Sequence, residues 1–168
     1  MVQNSCVPDW AKVSLPQGER YMPIYLLLDT SGSMAGEAIA AVRRGLDLFA
    51  KEMLGDEQTR NLVRLGVIAF NTEAHALTQG LVRFDDWKVP DLQTGGTTQL
   101  GLALDEVRQS IAQNVRKPVK GGSKGDWKPY VLIFTDAKPD KGWEDAKTRL
   151  LDRNLGHAVP QAIIAAGC

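Results

Sequence analysis

The 168-residue sequence predicts an α/β fold: an open, mostly parallel sheet with helices on both faces. Three observations carry that expectation. Two uninterrupted apolar runs, Ile24 to Leu28 and Tyr130 to Thr135, each stop at an aspartate, Asp29 and Asp136. Strands buried on both faces of a parallel sheet read as continuous apolar runs of this kind. Helix-spaced segments alternate with strand-like ones along the rest of the chain, the order that builds parallel sheets. Finally, 43% hydrophobic residues and a chain of this length suit one domain, which can bury about 70% of its unfolded surface.

Residues 1–22 read as a polar leader broken by Pro8 and Pro16, with Trp10 and Val13 as its anchors; residues 23–168 read as the domain. No apolar stretch follows a basic start, and the longest apolar runs, about five residues, fall short of the roughly 20 that cross a bilayer. The expectation is a cytoplasmic protein with no membrane contact. Cys6 and Cys168 stand near opposite ends, which is no disulfide framework and fits a reducing compartment. Twenty Lys and Arg against twenty Asp and Glu leave no global field to attract nucleic acid, and the aromatics do not interleave with basic residues.

After the first strand, Ile39, Val42, Leu46, Phe49, Met53 and Leu54 recur at helical spacing, with Gly55 as the stop. Leu62 to Phe70 and Ala74 to Phe84 read as strands joined by the turn Asn71-Thr72-Glu73, an antiparallel hairpin. Pro90 to Thr98 is a loop around Gly95-Gly96. Leu100, Leu104, Val107, Ile111 and Val115 form the stripe of a second helix, and Lys117 to Lys128 is a Gly- and Lys-rich connector. Trp143 to Asn154 reads as a helix with Trp143, Ala146, Leu150 and Leu151 inward. Val159 to Ala166 is the last strand. The sum is a Rossmann-like open sheet, mostly parallel, with one antiparallel edge hairpin strand.

In such sheets ligands bind beyond the carboxyl ends of the strands. Asp29, Ser31 and Ser33 from the first loop, Thr97 from the Gly95-Gly96 loop and Asp136 from the third converge there. Residues 29, 31 and 33 can turn towards one point, with Gly32 permitting a tight fold-back. Hydroxyl and carboxylate oxygens without Cys or His suit a hard divalent cation such as Mg²⁺, which takes about six oxygens at roughly 2.1 Å. With the hydroxyls as ligands, oriented by Asp29, one position stays open for an incoming carboxylate. The alternative is a plain strand-to-helix turn in which Ser31 or Ser33 caps the helix.

The segments Leu26 to Met34, Thr94 to Gly101 and Phe134 to Asp136 resemble the von Willebrand factor type A (VWA) domain, matching its metal-ion-dependent adhesion site in order. The resemblance spans residues 22–167. The phrases Lys124 to Pro129 and Pro139 to Trp143 further resemble the TerY-like bacterial branch, linked with tellurite resistance and stress response. The resemblance implies that Ser31, Ser33 and Thr97 contact a metal, while Asp29 and Asp136 hold it through water or directly. Mg²⁺ is the expected ion, with Mn²⁺ or Ca²⁺ as alternatives. It further implies a non-catalytic module whose protein partner supplies an Asp or Glu carboxylate, a kinase- or phosphatase-like protein of the same system being a candidate. Two departures stand out: Ala137 where the family has glycine, and a chain that reaches Cys168 before the family's usual last helix, edge strand and closing helix. Apolar surface left open there favours partner binding.

The rival reading is a Mg²⁺-dependent phosphoesterase using the same site. Its nucleophile would be Asp29, yet the second acid expected two residues on is replaced by Ser31. A serine hydrolase lacks its G-x-S-x-G elbow, and His75 and His157 read as surface or cap residues. Gly121-Gly122-Ser123-Lys124 lacks phosphate-loop spacing and leads into a strand. The lysines of that connector, with Arg116, form either a patch for an acidic partner or a solvated loop.

Overall fold

The alternation of side chains along β1 (Met22–Asp29) divides the interior in two. Tyr25 and Leu27 face one way, packing with Ile68 and Phe70 against the buried stripe of α3 (Leu100–Asn114) and against α4 (Trp143–Leu150). Ile24, Leu26 and Leu28 face the other way, where Val42 and Leu46 of α1 (Glu37–Gly55) cover them. β1 is therefore apolar throughout because both of its faces are roofed by helices. The computed structural model describes residues 20–136 and 140–167, so Trp10 and Val13, Ala137 and both cysteines lie outside the described residues.

The sheet runs β3-β2-β1-β4-β5. β1 pairs in parallel with β2 (Val63–Phe70) and β4 (Tyr130–Thr135), and β4 with β5 (Ala162–Gly167). β3 (Ala74–Ala76) pairs antiparallel with β2, as the turn at Asn71 to Glu73 predicts. The fold is thus the mostly parallel α/β sheet that the sequence predicts, with one antiparallel edge strand and helices on both faces.

Four elements differ from expectation, each for a local reason. Leu62 ends a short helix, α2 (Glu57–Leu62), which Asp56 starts by accepting from the Thr59 amide at 2.7 Å; β2 begins one residue later. The second hairpin strand is three residues long and does not reach Phe84. At Thr78 the side-chain hydroxyl, in place of a backbone carbonyl, accepts from Val67 N (3.0 Å). Gly80 then turns with φ +71°, and only Val82 rejoins β2, exchanging both amide bonds with Leu65. Phe84 opens a 3-10 turn (Phe84–Asp86) and is buried against Phe49 and Trp87. The helix expected over 143–154 stops at Leu150, because Asp152 accepts from the Asn154 amide and opens a separate 3-10 segment, leaving Leu151 exposed. Finally, Pro160 cannot donate to a ladder, so β5 starts at Ala162 rather than Val159. β5 forms an exposed edge, with Ile164 52% accessible.

Candidate metal centre

Register places the loops. Asp29 pairs with Phe70, and Leu28 with Phe134, so β1, β2 and β4 all end at one pole. There the Thr30 amide and hydroxyl both donate to the Phe70 carbonyl, at 2.8 and 3.1 Å, pinning the first loop to β2. Met34, from the 3-10 turn at Gly32–Met34, is fully buried in the α1-side core and anchors the loop from below. Neither serine caps a helix through its side chain: α1 starts behind Gly36, whose φ of +83° a side chain would strain.

Four of the five predicted residues share one hydrogen-bond chain. Asp29 Oδ1 accepts from the Ser31 amide (2.8 Å), the Ser31 and Ser33 hydroxyls lie 3.1 Å apart, and Ser33 Oγ donates to Asp136 Oδ1 (2.9 Å). Thr97 belongs to the same pole by its backbone. The neighbouring Gly96 carbonyl accepts from Gly32 N at 3.0 Å, and Gly95 N donates to the Thr30 carbonyl at 2.8 Å. Its own hydroxyl stands 3.5 Å from the Thr72 hydroxyl, and the Thr97 amide donates to Thr72 Oγ1 (3.1 Å). Burial grades across the group: Asp29 and Ser31 form a floor only 1% exposed, while Ser33, Thr97 and Asp136 are an exposed rim.

Sequence reasoning left three contributors without a role. Thr135 donates to Asp29 Oδ2, filling the second carboxylate oxygen. The only hint of it was a lone hydroxyl in an otherwise apolar strand. Thr72 comes from the β2–β3 turn, and nothing local singles it out. Gly96 has φ +75°, and a Cβ there would meet Thr72 Oγ1 at 2.3 Å, so glycine at this position is what lets the two loops touch.

The donor set fits a small hard cation. Among the described residues no group of three or more His, Cys, Asp or Glu gathers, so hydroxyls matter as much as carboxylates here. The Ser31–Ser33 and Ser33–Asp136 oxygen spacings of 3.1 and 2.9 Å lie close to the edge of a Mg²⁺ octahedron, roughly 3.0 Å for bonds of about 2.1 Å. Asp29 forms no ion pair with Lys or Arg among the described residues.

The family profile of the von Willebrand factor type A domain matches residues 24–138, well over half the chain. The chain belongs to the von Willebrand factor type A family. Such domains are protein-interaction and adhesion modules. Among solved structures, this VWA chain is similar to a von Willebrand factor type A protein from Catenulispora acidiphila (16% identity, TM-score 0.61), over 89% of this chain and 39% of that one. It is also similar to the vWF domain of the type V pili tip protein Mfa5 from Porphyromonas gingivalis (20% identity, TM-score 0.55), over 72% of this chain and 39% of that one. The pilus adhesin SpaC from Lactobacillus rhamnosus GG, in an open conformation, matches at 20% identity and TM-score 0.55, over 73% of this chain and 16% of that one. At these identities the likeness is one of fold, and the chain spans less than half the length of each of these proteins. No curated protein sequence matches the VWA chain significantly. Among the described residues no helix is long and apolar enough to cross a membrane.

Proposed function

We propose that this VWA domain is a non-catalytic, divalent-metal-dependent interaction module whose partner supplies an Asp or Glu carboxylate. Ser31, Ser33 and Thr97 would hold Mg²⁺ through their hydroxyls. Asp29 would orient the floor, and Asp136 would neutralise the ion at the rim. The bound ion would supply an open, Lewis-acidic position facing solvent. One observation carries the reading: the Ser31–Ser33–Asp136 chain joins two loops in an oxygen cluster buried on one side and open on the other.

The TerY-like phrases support a place in a bacterial tellurite-resistance or stress-response system, in the cytoplasm, with a kinase- or phosphatase-like partner. A phosphoesterase reading is disfavoured by Asp29. A nucleophile must reach its substrate, and Asp29 is 1% exposed, with Ser31 standing where the second acid of that chemistry is expected.

The test is calorimetry with Mg²⁺, followed by capture of the partner in Mg²⁺ and in excess EDTA. We expect binding of one ion, loss of binding in Asp29→Ala and Ser33→Ala with the fold retained, and release of the partner by EDTA. Capture that persists in EDTA, or Mg²⁺-dependent turnover of generic phosphoesters, would overturn the reading.

A further inference from the structure

The amino-terminal end of the sheet, roughly 23 Å from the hydroxyl cluster along β1, holds a cavity of about 450 Å³ that the proposed function leaves unused. That is the volume of a small-molecule site. Leu81 and Val82 give its wall apolar surface, Gln79 and Asn114 give it amides, and Arg64 gives it a guanidinium.

Arg64 is the feature that calls for a ligand. It is only 8% exposed, and its Nη1 donates to the carbonyls of Asn61 (3.0 Å) and Val63 (2.8 Å). The Tyr21 ring lies 3.6 Å from the guanidinium carbon. All of these partners are neutral. Among the described residues no carboxylate forms an ion pair with Arg64. On the same wall Asp126 is forked by Arg116, Arg83 pairs with Asp85 at 2.9 Å, and Asp86 forms no ion pair among the described residues. Neutral partners leave the charge of Arg64 uncancelled, and a guanidinium presents its donors in a fixed fork that matches a carboxylate.

We propose that this cavity binds a small organic carboxylate with a flat apolar body. Arg64 takes the carboxylate, and Leu81 and Val82 take the body. With Arg116 paired to Asp126 and Arg83 to Asp85, Arg64 is the one lining guanidinium left without a carboxylate, and a single guanidinium matches a single carboxylate.

Benzoate is the probe, and neutral benzamide, of the same shape, is its control. Both are titrated into the full chain while the amide resonances of Leu81 and Val82 and the Arg64 Nε–Hε resonance are followed by NMR. We expect saturable shifts with benzoate at millimolar concentration and none with benzamide. Arg64→Met should weaken benzoate by at least about tenfold. Leu81→Trp fills the cavity while keeping the guanidinium, and it should abolish the shifts even where Arg64→Met fails to fold. Asp29→Ala should leave them intact, which separates this site from the metal centre. Absence of saturable shifts, equal binding of benzamide, or unchanged affinity in either cavity variant would overturn the proposal.

Discussion

Asp29 and Asp126 are buried carboxylates at opposite ends of one sheet, 1% and 2% exposed, and they are satisfied in opposite ways. Asp29 accepts from neutral donors, the Ser31 amide and the Thr135 hydroxyl. Asp126 accepts from the guanidinium and the amide of Arg116 and from the Tyr21 amide, and the loop after α3 closes on it. The His157 ring and Arg20 reinforce that closure through backbone carbonyls. Hydrogen bonds from neutral groups fix a carboxylate without cancelling its charge, whereas an ion pair spends the charge on the fold. One end of the sheet therefore keeps a carboxylate charge that the proposed metal would use, and the other end spends its charge on holding itself together.

The largest expected effect tests the second half of that contrast. Asp126→Ala takes the buried acceptor from the Arg116 and Tyr21 amides as well as from the Arg116 guanidinium, and should cost about 2–5 kcal/mol in urea unfolding. Asp29→Ala removes no ion pair and should cost less, about 1–3 kcal/mol for the orphaned amide and hydroxyl. Equal losses would erase the distinction.

Magnesium sharpens the first half. At about a hundred times its Kd, Mg²⁺ should add about 2.7 kcal/mol to the wild-type and to Asp126→Asn, and nothing to Asp29→Ala. Thermal unfolding with and without EDTA reads this directly.

Alkali probes the interior between the two ends. Burial pushes the Tyr25 hydroxyl up to about 12, outweighing the Ser110 hydrogen bond, and the nearby Asp126 charge pushes the same way. The unfolded chain ionises first, near pH 10, so stability is full below pH 10 and falls as pH rises towards 12. The loss is about 2–3 kcal/mol. Tyr25→Phe should remove that fall, and Asp126→Asn should shrink it. A flat profile for the wild-type would show that the hydroxyl is not desolvated.

The smallest effect concerns the joint between loops. Gly96→Ala forces a side chain at φ +75° into Thr72 and should cost about 1–2 kcal/mol, weakening Mg²⁺ with it. Thr72→Ala in the same background should recover part of the metal affinity by making room. No recovery would place the strain elsewhere.

Much of the fold was legible because its cause is local. The apolar runs of β1 and β4 and the stripes of α1 and α3 carry their burial in their own spacing, and Gly55 marks the end of α1. The site was legible in part for the same reason: Asp29, Ser31 and Ser33 lie within five residues, and strand ends mark Asp136. What failed were element ends that side chains decide. Thr78 replacing a carbonyl in the hairpin ladder and Asp56 and Asp152 starting new turns are events of single hydrogen bonds, which periodicity does not register.

By itself, then, the sequence determined the α/β architecture and the residue types of the hydroxyl cluster, since hydrophobic spacing and loop chemistry act over a few neighbours. Only the tertiary structure decided which charges are spent. Asp29 meets Thr135 across 106 positions, and Arg64 lies against Tyr21 with no carboxylate beside it among the described residues. Such pairings depend on distance in space, and distance in space is set by strand register and helix packing, which no short stretch of chain contains.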